Sequence, residues 1–339
     1  MGIHNTNYEH WDGLRLGIWS RRAVIAANGL TGCLKSRWLR RVVAASWCVA
    51  LGQIAVLFFL GQFLVPDSLI AQSVGNLELQ MRTLIGGFVA WLEMHPEISV
   101  RVTQDFLYFY ISAIWALLTM LAIALAIPHL ITRDLSSRAI IIYSSKAVSR
   151  WDYLAGKVGT LLGLIGLTWI GPVCFSWFLG NLLAPHWNFF WHARLALFHA
   201  LVYGGICALV LSFFALGISA ISGREKITVI AWLAVWLVGW VFGKAAQVPD
   251  GHRESPVPHF LQYVSIKFDL SQLSAWIFRL DDDIKLARAN IPLLGDMLNN
   301  TSPQTLAALQ HPAILGAMVG LLVFLFASAI LLIWRVKPE

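Results

Sequence analysis

The sequence has few charged side chains, and this scarcity limits the kinds of protein it can be. Asp, Glu, Lys and Arg together make up 13% of the 339 residues, whereas about a quarter of a soluble domain is charged. Hydrophobic residues make up 58%, and the mean hydropathy is +0.68. A soluble chain of this composition would lack the polar surface that water requires. The composition therefore indicates an integral membrane protein.

The sequence also lacks the motifs of several kinds of site. Its four cysteines form no Cys-X-X-Cys pair, so neither a zinc site nor a disulfide framework is predicted. It has no GxSxG elbow and no HExxH helix, and in its nearest approach to a P-loop Leu34 replaces the second glycine. No basic domain with interleaved aromatics indicates nucleic-acid binding. We expect no catalytic residue, no metal site and no cofactor in this chain, and hence not an enzyme.

What the sequence does contain is six long apolar stretches, each close to the roughly 20 residues that a spanning helix needs. The predicted fold class is therefore an all-α integral membrane bundle of six transmembrane helices. The predicted spans cover residues 42–65, 106–131, 158–183, 195–222, 227–243 and 313–334.

The distribution of basic residues predicts the orientation of these spans. Sixteen of the 25 Lys and Arg residues fall in short segments on one side, and the others lie in longer loops. Because basic residues favour the cytoplasmic side, both termini are predicted to be cytoplasmic, in a multi-pass protein of the cell (inner or plasma) membrane. Residues 1–41 then form a cytoplasmic segment, and 42–339 form a single transmembrane domain with long outer loops at 66–105 and 244–312.

Helical patterns are also present outside the spans. Leu30, Leu34 and Trp38 recur at intervals of four among basic residues, which is typical of an amphipathic helix in the plane of the inner leaflet. An ordinary flank to the first span is the alternative. In the outer loops, Met81–Glu97 is predicted to form a helix lying on the membrane. A second apolar helix face is predicted there from Leu270, Leu273, Trp276, Ile277 and Leu280.

Ionisable residues are missing from the interior of the predicted spans, with one exception. All eighteen Asp and Glu residues lie outside them, and Asp281–Asp283 is interpreted as a solvated turn. Ion-coupled transporters usually carry an ionisable group inside the membrane, although some use only carbonyls and hydroxyls. His199 is the exception, and we expect it to be hydrogen-bonded between helices rather than catalytic.

Three GxxxG pairs predict close packing of the helices, either within one bundle or against a second subunit. They are Gly159/Gly163, Gly239/Gly243 and Gly316/Gly320.

The predicted cytoplasmic loop 132–157 is the most distinctive segment of the chain. Ala139–Tyr143 forms an apolar patch between charged residues, a surface that suits docking to another protein. Ser149 and Asp152 have the spacing of a capping box, which predicts that a helix starts there and continues into the third span. The alternative interpretation is an ordinary positive-inside loop.

This loop resembles that of the type 2 ATP-binding-cassette (ABC) exporter permeases. The family pattern is matched at Arg133-Asp134, Arg138, Tyr143, Ser149-Arg150, Tyr153 and Gly156-Lys157, whereas Lys146-Ala147 stands where the family often has Arg-Pro. In that family the loop carries a coupling helix that enters a cleft of the ATPase subunit. The N-terminal helix resembles the connecting helix that lies beside the same subunit.

The resemblance implies a permease subunit of an ABC transporter, an exporter, driven by a separate ATPase that binds ATP and magnesium. A second permease copy or a paralogue completes the membrane part, and the substrate passes along the second and fifth spans. A gradient-driven secondary transporter or channel and a non-transporting assembly subunit are the alternatives. The implied ATPase-coupling interface consists of Arg133, Asp134, Arg138, Tyr143, Lys146, Ser149, Arg150, Tyr153 and Lys157.

Overall fold

The computed structural model describes residues 17–62, 78–137, 149–184, 186–245, 259–290 and 313–335, and this part of the chain is helical without strands. The α-helices in chain order are α1 (Ile18–Leu34), α2 (Arg37–Gln62), α3 (Leu79–Met94), α4 (Pro96–Ala126), α5 (Ile131–Ser136), α6 (Arg150–Ile165), α7 (Gly171–Leu182), α8 (Asn188–His192), α9 (Arg194–Ile221), α10 (Glu225–Ala245), α11 (Ile266–Ile277), α12 (Leu280–Asn290) and α13 (Ile314–Arg335).

Six helical segments are long and apolar enough to cross a membrane, which confirms the predicted all-α membrane bundle. They are α2, α4 with α5, α6 with α7, α9, α10 and α13. The helices that carry the second and third spans begin before the apolar stretches predicted from hydropathy, at Pro96 and Arg150. Charged residues near these helix starts are paired inside the bundle. Hydropathy does not register such pairing, so the apolar stretches alone give helix starts that are too late. The helix that begins at Arg150 has Ser149 as its N-cap, as the capping box predicted.

The bundle has two ends with different polar contacts. We call the end that carries α1, α5 and the start of α6 the basic end, and the opposite end, which carries α11 and α12, the far end. At the basic end the helical structure is interrupted at Lys35 and Ser36, which separate α1 from α2. Leu30 and Leu34 pack against the core, but Trp38 lies on α2 and is 65% exposed. The amphipathic face predicted from Leu30, Leu34 and Trp38 is therefore not on one helix: the two leucines lie on α1 and the tryptophan lies on α2.

The helices predicted in the outer loops are present with different ends. Helix α3 ends at Met94, and Pro96 starts the next helix. In α11, Leu270 and Ile277 are buried as predicted, whereas Trp276 is 55% exposed. A turn with φ of 50° at Arg279 then separates α11 from α12. We call these two helices the outer hairpin.

A proline shapes the middle of the third span. Pro172 has no N–H, so the carbonyl of Thr168, four residues earlier, loses its helical partner. Five residues, Gly166–Ile170, form a π-helical turn at this point. The Ser46 hydroxyl of α2 donates to the Thr168 carbonyl, and the Trp47 indole donates to that of Leu167 at 3.0 Å. The freed carbonyls thus fasten α2 to the third span.

Replacing Ser46 by alanine is expected to lower the free energy of unfolding by about 1.5 kcal/mol, because the buried Thr168 carbonyl is left without a donor. The measurement is thermal unfolding in detergent, followed by tryptophan fluorescence. Thr83→Ala is the matched control, since that exposed hydroxyl bonds only to its own helix. Equal effects of the two variants would contradict this role of Ser46.

Candidate functional site

The candidate site at the basic end starts from α5, a short helix fixed by a buried hydroxyl group. Ser219 of α9 accepts hydrogen bonds from the backbone N–H groups of Ile131 and Thr132, at 2.9 and 3.1 Å. The Thr132 hydroxyl donates to the Ser219 carbonyl at 2.9 Å and contacts the hydroxyl of Thr228 on α10 at 3.3 Å. All three hydroxyls are buried. Helix α5 is therefore held by two spans at once.

Asp134 joins this short helix to the start of the third span. Its carboxylate pairs with the Lys157 ammonium at 2.7 Å and accepts a hydrogen bond from the Tyr153 hydroxyl at 2.7 Å. Lys157 also donates to the Leu130 carbonyl at 3.0 Å. The side chains of Asp134 and Lys157 are only 15% and 10% exposed. We call Asp134, Tyr153 and Lys157 the clamp, because they join residues on the two sides of segment 138–148.

Two further predicted residues have structural contacts within the chain. Ser149 caps α6: its hydroxyl accepts from the Asp152 N–H at 3.2 Å and donates to the Asp152 carboxylate at 2.7 Å. The Arg150 guanidinium donates to the carbonyls of Leu332, at 3.2 Å, and Ile333 at the end of α13. The third span is thereby fastened to the sixth at the basic end.

Helix α1 packs against α6 through small residues. A methyl group on Gly156 would lie 2.5 Å from Ile25, one on Gly159 would lie 2.9 Å from Ala26, and one on Gly163 would lie 3.2 Å from Leu30. Only glycine permits this approach. The Gly159/Gly163 pair therefore packs within this chain, which is one of the two alternatives that its spacing left open.

Polar contacts reinforce the packing of α1. The Arg22 guanidinium pairs with Asp152 at 2.6 Å, and the Thr160 hydroxyl donates to the Ala26 carbonyl at 3.3 Å. Cys33, near the end of α1, is 1% exposed. Burial raises the pKa of its thiol, and the charge of Lys157 opposes this shift. Helix α1 is thus an integral part of the site.

An open cavity of about 440 Å³ lies between α1 and the clamp. Asp134, Tyr153 and Lys157 line one wall, and the two exposed basic side chains Lys35 and Arg133 line other parts of it. The Arg133 guanidinium has no ion-pair or hydrogen-bond partner among the residues that the structure describes. Among the predicted interface residues that the structure describes, Arg133 is therefore the one whose charge is open to another molecule.

The structure brings three of the residues assigned to the coupling interface into contact, Asp134, Tyr153 and Lys157, and Arg133 lines the same cavity. Asp134, Ser149, Arg150, Tyr153 and Lys157 all make contacts within the chain, where the sequence predicted contacts with an ATPase. Three assigned residues and the apolar patch lie outside the described residues: Arg138, Tyr143, Lys146 and Ala139–Tyr143.

A second polar site, at the far end, was missed by the sequence analysis. Asp105 lies inside helix α4, and its carboxylate is 3.0 Å from Nδ1 of His199 on α9. Arg101, one turn before Asp105, pairs with Asp283 of α12 at 3.2 Å. The prediction that His199 bonds between helices is confirmed. Hydropathy placed Asp105 just outside the second predicted span, 106–131, whereas the helix that carries this span begins at Pro96 and contains Asp105.

The interpretation of Asp281–Asp283 as a solvated turn is wrong. The three residues form the first turn of α12, and Asp283 is 1% exposed. Asp281 instead pairs with Lys285 on the outer side of the helix, and Asp282 is exposed. A signal for the site was present in the sequence: Glu97, Arg101 and Asp105 recur every four residues, as on one face of a helix.

Gly316, Gly320 and Gly239, from the other two pairs, also pack within this chain. A methyl group on Gly320 would lie 2.4 Å from Asp269, and one on Gly316 would lie 2.2 Å from Tyr263, so α13 packs against the outer hairpin and the turn before it. A methyl group on Gly239 would lie 3.2 Å from Ser265. In the described part of the chain, no group of three or more His, Cys, Asp or Glu side chains converges in a way that could hold a metal ion.

Comparison of the chain with family models, with curated proteins and with solved structures finds no match in any of the three.

Proposed function

We propose that this protein is the membrane-spanning permease subunit of an ABC transporter, an exporter, driven by a separate ATPase. The loop that resembles type 2 permeases is the starting point of the proposal. In this assignment the basic end faces the cytoplasm, and a second permease copy or a paralogue completes the pathway.

The clamp is the single observation that carries this proposal. A loop that transmits force needs both of its ends attached to the spans that must move, because a free end would absorb the displacement. Here Asp134 on one side and Tyr153 and Lys157 on the other join the base of segment 138–148. Displacement of that segment would reach the second and third spans together. Helix α1, packed on α6, would move with them.

The proposal is tested by co-expression with a soluble ATPase that carries a Walker A motif and is encoded beside this chain. We expect stoichiometric co-purification, and ATP hydrolysis that changes when the permease is present. Transport or conduction by the purified chain in liposomes without nucleotide would overturn the proposal.

Reversal of the charge at Arg133 is expected to weaken this association at least tenfold, because each close charge pair across an interface contributes on the order of 1.4 kcal/mol or more. The variant is Arg133→Glu, and the measurement is the affinity for the ATPase by surface plasmon resonance with the permease immobilised. Arg37→Glu is the matched control, since Arg37 is also exposed at the basic end but does not line the cavity. Equal affinities of the two variants would contradict a contact at Arg133. Arg138→Glu tests the same interface within segment 138–148.

A gradient-driven transporter is the second candidate, and one specific observation favours it. Asp105, which hydropathy placed outside the spans, lies buried in the helix of the second span and contacts His199 of the fourth. Buried acid–histidine pairs in membrane proteins occur in proton pathways. Solute flux in liposomes driven by a pH gradient, without ATP, would favour this candidate over the first.

A further inference from the structure

The far-end site gathers four ionisable side chains from three helices. Arg101 and Asp105 come from α4, His199 from α9 and Asp283 from the outer hairpin. Asp105 and Asp283 are each 1% exposed, and Arg101 and His199 are 24% and 14% exposed. The two carboxyl groups are close enough to act on one another. We call these four residues the acid cluster.

The charges of the acid cluster balance only when it holds one exchangeable proton. Two carboxylates and one guanidinium carry a net charge of −1, which is costly to bury. One proton, on His199 or shared by the two carboxyls, makes the cluster neutral. Two carboxyls that share a site cannot both ionise without mutual repulsion. Neutrality therefore depends on a proton that solution pH controls.

The unused hydrogen-bonding atoms of the cluster indicate where this proton is held. Asp105 and Asp283 each have one buried carboxyl oxygen, Oδ2, without a hydrogen-bond partner among the described residues. One of these oxygens gains a partner if the other carboxyl is protonated. Burial raises the pKa of Asp283 to about 7, with the charge of Asp105 acting in the same direction and that of Arg101 opposing it.

A metal ion is the other ligand that carboxylates and a histidine attract. No set of three such groups in the described ranges converges on a metal position, and the Asp283 carboxylate is already paired with the Arg101 guanidinium at 3.2 Å. A proton needs only one oxygen and an acceptor. The geometry therefore favours a proton as the ligand.

We propose that the acid cluster is a proton-binding site that holds the outer hairpin on the bundle, and that loss of its proton loosens the hairpin. The hairpin reaches α4 and α9 through Asp283 and through Phe278, whose ring packs against that of His199 at 6.2 Å between centroids. A charged, unbalanced cluster costs most in the docked state, where water is excluded. The proposal stands whether the transporter is driven by ATP or by a gradient.

The direction of the pH dependence follows from the docked and released states of Asp283. When α12 is released, its carboxyl regains the ordinary pKa near 3.8, whereas in the docked state the pKa is about 7. Docking is therefore most favoured below pH 4 and weakens as the pH rises to about 7. Between pH 5.5 and pH 8 the docking equilibrium is expected to change on the order of 30-fold.

A second acid on the hairpin, Asp269, is expected to give the docking equilibrium a pH dependence of the same sign. Its contribution must therefore be separated from that of the acid cluster. Asp269 of α11 is fully buried beside Gly320 of α13, and burial raises its pKa to about 8. It lies against a different span from the acid cluster. The charges acting on Asp283 come from Asp105, Arg101 and His199. Asp269→Asn therefore serves as the background in which the contribution of the cluster is measured.

The test is hydrogen–deuterium exchange of residues 280–290 in the full-length protein in nanodiscs at pH 5.5 and 8, corrected for the intrinsic rate at each pH. We expect protection to fall at least tenfold at the higher pH in the wild type and in the Asp269→Asn variant. Asp283→Asn should remove this dependence, and Asp282→Asn, the exposed neighbour, should keep it. Protection that does not depend on pH in the wild type, or full dependence in Asp283→Asn, would overturn the proposal.

Infrared difference spectroscopy provides a second readout that a folding defect does not imitate. Raising the pH through 7 should remove a protonated-carboxyl C=O band that shifts in deuterium oxide. The band should be present in Asp269→Asn and absent in a variant that also carries Asp105→Asn and Asp283→Asn. A band that persists in that triple variant would show that the proton is held elsewhere.

Discussion

Replacement of Asp134 by alanine is expected to destabilise the folded protein by about 3–5 kcal/mol, because it leaves a buried ammonium without its counter-ion. Lys157 is 10% exposed on its side chain and keeps only uncharged partners, the Leu130 carbonyl and the Tyr153 ring, whose centroid lies 5.5 Å from its Nζ. The measurement is thermal unfolding in detergent. Reactivity of Cys33 toward maleimide should rise as well, since this thiol lies near Lys157 and is 1% exposed.

Two controls separate the charge from the packing at this position. Tyr153→Phe removes one hydrogen bond to the same carboxylate and is expected to cost about 1.5–2 kcal/mol. The double variant Asp134→Ala/Lys157→Met removes both charges and should recover most of the loss. If the double variant is as unstable as Asp134→Ala, the unpaired ammonium is not the cause. Because Asp134 stabilises the fold, loss of ATPase binding in an Asp134 variant would not by itself show that Asp134 contacts the ATPase.

A single methyl group on Gly29 is expected to displace helix α1 from the bundle. Its β-carbon would lie 2.3 Å from the Thr160 hydroxyl oxygen and 3.2 Å from Thr160 Cβ. Overpacking of this kind costs about 2–3 kcal/mol. The measurement is the maleimide-labelling rate of Cys33, resolved by mass spectrometry of its peptide, and we expect at least a tenfold rise. Cys207, buried in α9, provides the internal reference.

The chain offers a matched control and a compensating change for this prediction. Gly32→Ala lies on the same helix with no atom within 4 Å of the new methyl group, so labelling should stay at the wild-type rate. Thr160→Ala removes the nearest clashing atoms and should restore slow labelling in the Gly29→Ala background. Slow labelling in the single variant Gly29→Ala would show that α1 does not depend on this contact.

The clamp and the packing of α1 are the two attachments through which the proposed function would transmit force. Both predictions concern groups that attach a surface helix and a short loop helix to the spans. Variants with an intact fold and a lost ATPase response would separate transmission of force from stability. Arg133 is the position best suited to that comparison, because its side chain is exposed and unpaired within the described residues.

The spans and the start of α6 followed from local properties of the sequence. Hydropathy depends on about 20 consecutive residues, and the Ser149 cap depends on four, so no tertiary information was needed for either. Hydropathy failed where charges are paired inside the bundle: it started the second span at Phe106 because Arg101 and Asp105 lie just before that residue. A side chain is costly in a membrane only when it has no partner, and the partners here come from α9 and α12.

The sequence by itself determined that the chain is a helical membrane bundle, because composition and hydropathy act residue by residue and independently of the fold. Only the tertiary structure decided the partners of its charges. Asp134 pairs with Lys157, Arg22 with Asp152 and Arg101 with Asp283, across 23, 130 and 182 positions of the chain. The physical reason is that the energy of a buried charge depends on neighbours that packing brings together, and spacing along the chain does not specify those neighbours.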